Sequence, residues 1–454
     1  MSENEDALGV NRRDFLKSSS FATLMTMLGG VQLLGQTPPV EAPSGDAKIK
    51  LAVIGLGAWG REILTALGKL ERADTAAICD SYGASVRRSS TAAPGAAQVE
   101  DYKKILENKD IKAVIIATPT HQHAEIAIAA LKAGKHVYCE APLANTIEDA
   151  RAIAIAARDA KRQVFQAGLQ MRADPQRHFL LPFIRSRALG EWVMARAQWH
   201  KKQSWRAASS NAEREKALNW RLNKEVSLGL LGEIAIHQVD QAGWFMNARP
   251  VSVSAIGSNQ FWKDREVADT VHALFEFPNR VQLAYDCSLA NSFDADYEMY
   301  YGSDAAVMLR ENKAWMFKEV DSPLLGWEVY ARKDDFYRET GIALKAGGSK
   351  QTSLDEKVTS PMKLEDTALY NALDRFLRNA IELGAAEEDA VSAFGAEDKT
   401  SIDDQVSRVK ARLRPTAGFL DGFQATVMAV KANEAVVTGN RIQFKPDWFE
   451  LASN

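Results

Sequence analysis

Three polar side chains, Glu233, His237 and Asp240, follow one another at spacings of four and three residues. On a helix these spacings place all three on one face. A carboxylate there orients the imidazole, and a histidine with a pKa near ~6.5 accepts a proton from a substrate hydroxyl. Asp240 would then contact further hydroxyls. The alternative is a polar helix face with a satisfied ion pair, which is common in proteins.

A second group of residues indicates a dinucleotide site. We expect Gly55 to make a tight turn, Gly57 to let the backbone approach a pyrophosphate, and Gly60 to pack a helix closely on a strand. The helix N-terminus supplies free N–H groups for the phosphates. The loop that carries these features consists of Gly55, Leu56, Gly57, Ala58, Trp59 and Gly60.

Asp80 decides which dinucleotide the loop favours. It directly follows a second apolar, strand-like run at residues 75–79. A carboxylate at this place hydrogen-bonds the adenosine ribose and repels a 2′-phosphate, so NAD is favoured over NADP. Arg87 and Arg88 follow closely and keep NADP open as the second option.

Strands that alternate with helices must position these residues. The alternation predicts an α/β fold, with a doubly wound parallel sheet of the Rossmann type over residues 46–172. Ligands bind at the carboxyl ends of such strands. The predicted strands are residues 50–54, 75–79, 113–118, 136–139 and 163–167. The cofactor-binding candidates that follow the third and fourth strands are Thr118, Pro119, His123, Glu140 and Ala141.

Residues 173–454 form the second predicted unit, an α+β domain for substrate binding and oligomerisation. Its apolar and polar residues alternate at 251–256, 270–277 and 281–288, which predicts strands of a large open antiparallel sheet. Within this unit, residues 384–415 are acidic first and basic later. That charge pattern predicts an insertion that forms a surface helix or a flexible excursion.

Residues 1–45 predict an export signal and a linker. Arg12-Arg13 precede an apolar stretch from Phe21 to Leu34. This order is typical of a twin-arginine signal, which addresses folded proteins to the export machinery. The stretch is shorter than the ~20 residues of a transmembrane helix. We expect a periplasmic protein, or one tethered by an uncleaved signal because Pro43 obstructs cleavage; the alternative is a disordered basic N-terminus.

Composition excludes several classes of partner. The formal net charge is -3, and hydrophobic and charged residues make up 46% and 25% of the chain, as in ordinary soluble enzymes. No clustered basic face indicates nucleic-acid binding. The three cysteines, Cys79, Cys139 and Cys287, are too few and too scattered for a disulfide framework or a zinc site. We therefore predict no metal centre.

The run ATPTHQHAEIAIAALKAGKHVYCEAPLANTIEDA, at residues 117–150, resembles the glucose-fructose oxidoreductase, inositol dehydrogenase and rhizopine catabolism family (Gfo/Idh/MocA). The resemblance extends through His237 to GSDAAVML at residues 302–309. It implies an N-terminal Rossmann domain and a C-terminal domain whose open antiparallel sheet carries the substrate site. It also implies a place near the nicotinamide for His123, and a homo-oligomer formed through the C-terminal sheet.

Two positions depart from what the resemblance implies. Family members carry an acid four residues before the histidine, but Glu233 stands where that acid is usually Asp. Ala141 stands where dehydrogenases of the family usually have a lysine that binds the reacting hydroxyl. A methyl group cannot move a proton, and it removes a positive charge that stabilises an alkoxide.

Basic residues that lie among tryptophans are candidate substitutes for this lysine. They occur in the stretches Trp199 to Arg206 and Asn219 to Lys224. Flat rings stack on sugar faces and cations reach hydroxyls or acids, whereas the alternative is a solvated loop with tryptophans packed underneath. The candidate substrate contacts are Lys201, Arg206 and Arg221, together with Gln170 and Arg172 at the junction of the two domains.

Three functions fit these residues. The first is an exported oxidoreductase that acts on a CH–OH group of a sugar or polyol and recycles a tightly held NAD(P), because free NAD is scarce outside the cytoplasm. The second is a glycoside hydrolase or lyase that uses the same hydride step transiently, followed by elimination. The third is a non-catalytic sugar-binding protein, since a fold supports many functions and the site must decide between them.

Overall fold

The computed structural model describes residues 47–310, 313–322, 340–347 and 367–451. The predicted signal at residues 1–45 lies outside the described residues. Within the described residues the first sheet has six parallel strands in the order β3-β2-β1-β4-β5-β6, so the predicted parallel sheet is confirmed and β3 is added to its five predicted strands. Its strands are β1 (Ile49–Ile54), β2 (Ala73–Cys79), β3 (Ala97–Val99), β4 (Ala113–Ile116), β5 (His136–Cys139) and β6 (Phe165–Ala167).

Helices cover both faces of this sheet, which is why its central strands β1, β4 and β5 are largely buried. Successive side chains of a strand point to opposite faces. Leu51 and Val53 of β1 therefore enter one core, and Ala52 and Ile54 enter another. The helices that alternate with the strands are α1 (Ala58–Leu67), α2 (Gly83–Ser89), α3 (Tyr102–Glu107), α4 (His123–Lys132) and α5 (Ile147–Asp159).

Residues 384–415, for which the charge pattern predicts a surface helix or a flexible excursion, are largely helical. They contain the end of α10 (Ala368–Phe394) and all of α11 (Lys399–Lys410). Phe376 of α10 and Ile402 of α11 are fully buried in the same core as Leu51. This helix pair therefore belongs to the layer that covers the first sheet, although it lies far from that sheet in the sequence.

In the described part of the chain the second sheet has nine strands in the order β14-β13-β12-β11-β7-β10-β9-β8-β15, and its two end strands do not pair with each other. Its pairs are antiparallel except β7 with β10, which are parallel. The predicted open antiparallel sheet is thus a mixed, mostly antiparallel one. Its strands are β7 (Trp192–His200), β8 (Ser252–Ser258), β9 (Thr270–Glu276), β10 (Gln282–Ser288), β11 (Asp296–Gly302), β12 (Ala305–Arg310), β13 (Lys313–Glu319), β14 (Thr340–Gly347) and β15 (Ile442–Gln443).

Besides α10 and α11, the described part of residues 173–454 contains five helices. The last of them packs against α5 on one side and β8 on the other. Its Thr426 hydroxyl accepts a hydrogen bond of 3.0 Å from the backbone N–H of Leu143. These helices are α6 (Pro175–Arg185), α7 (Ala212–Leu218), α8 (Gly229–Glu233), α9 (Ala235–Met246) and α12 (Phe419–Thr438). Among the described residues, no helix has the length and apolar character to cross a membrane.

Candidate functional site

The glycine loop lies between β1 and α1, and its three glycines have different surroundings. Gly55 has a φ of +96°, and a Cβ there would lie 2.6 Å from the backbone of Ala117. A Cβ on Gly60 would lie 1.9 Å from the carbonyl oxygen of Gly55. A Cβ on Gly57 would meet no atom within 4 Å. The loop is therefore packed tightly except at Gly57, where the backbone is open to a pyrophosphate.

Asp80 lies at the end of β2, directly beside this loop. Its Oδ2 accepts a hydrogen bond of 2.9 Å from the N–H of Leu56, and its Oδ1 accepts one of 2.9 Å from the N–H of Tyr82. The carboxylate is thus held at the edge where an adenosine ribose lies in a Rossmann domain. Arg87 and Arg88 lie in the last turn of α2.

His123 links the turns that follow β4 and β5. Its Nδ1 lies 2.9 Å from the carbonyl oxygen of Pro142, and its Nε2 lies 2.9 Å from that of Thr118. Burial lowers the pKa of this imidazole to about 4. A neutral ring has only one N–H, so it donates to one of the two carbonyls. His123 therefore fixes the two turns relative to each other, and Pro119 lies within the first of them.

Glu140 is a buried carboxyl group at the end of β5. Burial raises its pKa to about 7, and the neighbouring Trp59 and Gln170 side chains lower it only in part. Two buried oxygen atoms at this edge, Glu140 Oε1 and Thr118 Oγ1, have no hydrogen-bond partner within the described residues. Such atoms need a polar ligand or water. Together with the open backbone at Gly57, they fit a bound dinucleotide.

Glu233 and His237 do not share one continuous helix. The helix α8 ends at Glu233 and α9 begins at Ala235, and Ile234 between them has φ −120° and ψ −57°. Instead of His237, the carboxylate of Glu233 faces the Thr120 hydroxyl, 3.3 Å away, and Arg221 Nε, 3.6 Å away. Of the three residues expected on one helix face, only His237 and Asp240 therefore share a helix.

His237 is half-buried, and its imidazole makes no hydrogen bond to the described residues. Burial lowers its pKa to about 4. The ring is consequently neutral at pH 7 and has a nitrogen lone pair that can accept a proton.

Asp240 and Arg172, two predicted substrate contacts, bind each other. Arg172 donates hydrogen bonds of 2.8 Å to both oxygens of Asp240, and a third of 2.8 Å to Asp421. The guanidinium also lies 5.4 Å from the ring centre of Trp244. Asp240 is buried, so this bidentate pair satisfies a carboxylate that would otherwise be costly to bury.

Residues 201–227, which we call the strap, run from β7 to α8. Asn219 holds the strap together by accepting a hydrogen bond from the N–H of Ala207 and donating one to its carbonyl oxygen, each 2.8 Å long. Within the strap, Arg214 donates a hydrogen bond of 3.2 Å to the Ser85 hydroxyl, and its guanidinium carbon lies 4.2 Å from the ring centre of Tyr82. Both residues follow β2.

A later part of the strap contacts the turn after β4. The ring of Trp220 meets that of His121 edge-on, with 6.0 Å between their centres. The glycine loop follows β1, which lies between β2 and β4 in the sheet. The strap therefore contacts the carboxyl edge of the sheet on both sides of β1, the strand that the glycine loop follows.

The predicted basic residues of the strap have different surroundings. Arg206 forms ion pairs of 3.0 Å with Glu215 and with Asp264. Lys201 is exposed. Arg221 alone among these three contacts a predicted site residue, Glu233.

Sequence reasoning missed Thr120, Tyr82 and Arg214. Thr120 stands in the run that carries the family resemblance, and Tyr82 lies two residues after Asp80. These positions in the sequence could have identified Thr120 and Tyr82 as site residues. Arg214 lies in a strongly charged helix without any motif, so only the fold brings it to the nucleotide edge.

Two family models match the chain. Residues 49–168 match "Oxidoreductase family, NAD-binding Rossmann fold", and residues 182–307 match "GFO/IDH/MocA C-terminal domain". Together these segments cover more than half of the chain. The protein belongs to the Gfo/Idh/MocA family. Its first domain is accordingly an NAD-binding Rossmann domain, in agreement with the cofactor predicted from Asp80.

Relatives within the Gfo/Idh/MocA family include a levoglucosan dehydrogenase from Pseudarthrobacter phenanthrenivorans. It is 37% identical over 147 residues, which are 32% of this chain and 36% of the relative. The chain thus matches about a third of the length of that curated relative.

Solved structures of family members share the fold at lower identity. A levoglucosan dehydrogenase in complex with NADH and levoglucosan has a TM-score of 0.65 at 19% identity, over 88% of this chain and 99% of that one. An aldose-aldose oxidoreductase from Caulobacter crescentus, complexed with glycerol, has a TM-score of 0.60 at 17% identity, over 87% of this chain and 100% of that one.

Within the described residues, no group of three or more His, Cys, Asp or Glu residues could hold a metal ion.

Proposed function

We propose that the protein is an exported NAD-dependent oxidoreductase that oxidises a CH–OH group of a sugar or polyol. The observation that carries the proposal is His237. It is a neutral imidazole without a hydrogen-bond partner among the described residues, in a family whose first domain binds NAD. Relatives named levoglucosan dehydrogenase support a carbohydrate substrate.

The residues divide the chemistry between them. NAD, which the glycine loop and Asp80 would hold, would supply the acceptor for the hydride of the substrate carbon. His237 accepts the proton of the hydroxyl on the same carbon, so that a carbonyl group forms and both electrons of the C–H bond are accounted for. Glu233, held by Thr120 and Arg221, lies one helix away and contacts neighbouring hydroxyls.

The strap supports a cofactor that stays bound between turnovers. It contacts residues after β2 and after β4, and the dinucleotide groove of a Rossmann domain lies between these places. NAD cannot leave such a groove without the strap moving. A retained cofactor must be reset by a second substrate, and a family member of the same fold is named an aldose-aldose oxidoreductase.

The test is whether sugars reduce bound NAD. The protein purified without added nucleotide should carry nicotinamide absorbance, and levoglucosan, glucose or inositol should convert it to the reduced form. The variant His237→Gln should keep the nucleotide but reduce it at least about 100-fold more slowly, as expected for loss of a general base. Failure of every sugar to reduce NAD in the unaltered protein would overturn the proposal.

Glu140 favours a second candidate, the transient oxidation that ends in elimination of a glycosidic bond. A buried carboxyl group with a pKa of about 7 suits proton transfer at neutral pH. A chain with this activity releases the aglycone of a nitrophenyl glycoside without net change in nicotinamide absorbance. A chain that binds sugar but performs neither reaction is a binding protein instead.

Export and self-association complete the proposal. Arg12-Arg13 and the apolar stretch behind them support twin-arginine export, followed by cleavage or by membrane tethering. Replacing both arginines by lysine should leave the protein in the cytoplasm when cells are fractionated. Exposed apolar side chains on the second sheet, Ile256 and Leu274, support pairing of copies through that sheet, which light scattering measures.

A further inference from the structure

Arg221 lies beside two indole rings and beside Glu233. Its guanidinium carbon lies 4.5 Å from the ring centre of Trp220 and 5.8 Å from that of Trp205. Trp205 has a φ of +61°, a backbone conformation that is strained for a bulky residue. Strain of this kind concentrates at functional sites. The strap thus uses an unfavourable backbone to place this ring beside Arg221.

The guanidinium of Arg221 has donors to spare. Its ion-pair partner is Glu233, whose Oε2 lies 3.6 Å from Nε, and its two terminal nitrogens make no hydrogen bond to the described residues. The side chain is 43% exposed. By contrast, Arg172 and Arg206 each contact two carboxylates. Arg221 therefore has terminal N–H groups available to a ligand.

Short contacts connect Arg221 to Ala141. Glu233 links it to Thr120, in the turn after β4. That turn is linked through His123 to Pro142, the residue after Ala141. The cation and the alanine thus belong to one contact network at the carboxyl edge of the first sheet. Ala141 itself has only a methyl group, which cannot stabilise charge.

We propose that Arg221 is a catalytic residue that binds the reacting hydroxyl oxygen of the substrate and stabilises the negative charge that develops on it. This inference rests on the proposed function. Arginine keeps its proton in proteins, so Arg221 cannot act as the base. The hydroxyl proton goes to His237, and bound NAD would supply the hydride acceptor, while Arg221 donates hydrogen bonds to the oxygen as it becomes a carbonyl. Two such donors in a fixed fork also orient the sugar.

A double-mutant cycle between positions 141 and 221 tests this role. Arg221→Gln should lower kcat for sugar-dependent reduction of NAD about 100-fold or more, the usual cost of one lost oxyanion donor. Its affinity for NADH, measured by fluorescence titration, should stay within about threefold. Ala141→Lys in the Arg221→Gln background should regain at least about tenfold, because a lysine there restores a cation at the same oxygen. The charge control is Lys216→Gln, which removes an exposed cation from the same strap.

The outcomes separate the two proposals. A kcat of Arg221→Gln within about threefold of the unaltered protein overturns the role of Arg221 alone. So does a loss that Lys216→Gln reproduces, or one that Ala141→Lys does not restore, since a merely structural arginine gives that pattern. If Arg221→Gln folds poorly, Arg221→Lys takes its place. This variant keeps the charge but loses the planar fork, so its kcat should lie between that of the unaltered protein and that expected for Arg221→Gln. An unaltered protein that reduces no NAD with any sugar overturns the proposed function, and the role of Arg221 with it.

Discussion

The two ends of the candidate site are built in different ways. At the nucleotide end, the glycine loop and Asp80 lie within 26 consecutive residues, and each geometric role depends on contacts between near neighbours or adjacent strands. At the sugar end, Thr120, Arg172, Arg221 and Asp421 come from four distant parts of the chain. A short sequence motif therefore determines the geometry of the nucleotide end. The geometry of the sugar end depends on contacts between distant parts of the chain.

Gly60→Ala should break the nucleotide end most severely. The new Cβ would lie 1.9 Å from the carbonyl oxygen of Gly55, a backbone atom that cannot move aside without displacing α1. We expect a loss of about 3 kcal/mol in the free energy of unfolding, measured by urea denaturation, and no measurable binding of NADH.

The matched variant is Gly57→Ala, whose Cβ would meet no protein atom within 4 Å and whose φ of −62° suits alanine. It should keep its stability within about 1 kcal/mol but bind NADH more weakly, because the methyl occupies the space of the pyrophosphate. Equal binding by both variants and the unaltered protein would contradict a pyrophosphate site at this loop.

The same contrast explains what the sequence predicts about the fold. Both sheets were predictable because strands have a two-residue periodicity and Rossmann units alternate with helices. The place of α10 and α11 was not, since nothing in residues 384–415 indicates that Ile402 enters the core of a sheet some 300 residues earlier. The parallel pairing of β7 with β10 is also a long-range contact that no local pattern predicts.

The candidate site shows this limit at single residues. Glu233, His237 and Asp240 have helical spacing, and residues 229–246 contain no proline, so nothing local indicates the interruption at Ile234. Spacing identified these residues but not their partners. The partners, Thr120, Arg221 and Arg172, come from other elements and appear only in the folded chain.

Arg214→Met tests whether the second domain helps to retain the nucleotide, because Arg214 belongs to that domain and contacts the nucleotide end. The change removes a hydrogen bond to Ser85 and a cation–π contact with Tyr82. Their loss amounts to about 1.4 kcal/mol, so NADH should dissociate about tenfold faster. Displacement of NADH fluorescence by excess NAD measures the rate. A rate equal to that of Lys216→Gln, the neighbouring charge control, would mean that the strap does not retain the cofactor.

A pH-dependent effect on stability is expected at Glu140, the buried carboxyl group at the end of β5. Its pKa is about 7 in the folded protein, raised by burial from 4.5. Between these values the folded state keeps a proton that the unfolded state has lost, so this group makes the protein less stable as the pH rises from 4.5 to 7. The contribution is up to about 3 kcal/mol and is constant above pH 7.

Glu140→Gln removes this ionisation while keeping the shape of the side chain, so the variant isolates the effect. Relative to the unaltered protein, its free energy of unfolding should rise by up to about 3 kcal/mol between pH 5 and pH 8. His123, His136 and His237 have pKa values lowered to about 4 and titrate with the opposite sign, but they are common to both proteins and cancel in the difference. Parallel stability curves would show that Glu140 is already ionised at pH 5, and that polar groups at the nucleotide end, rather than burial, determine its charge.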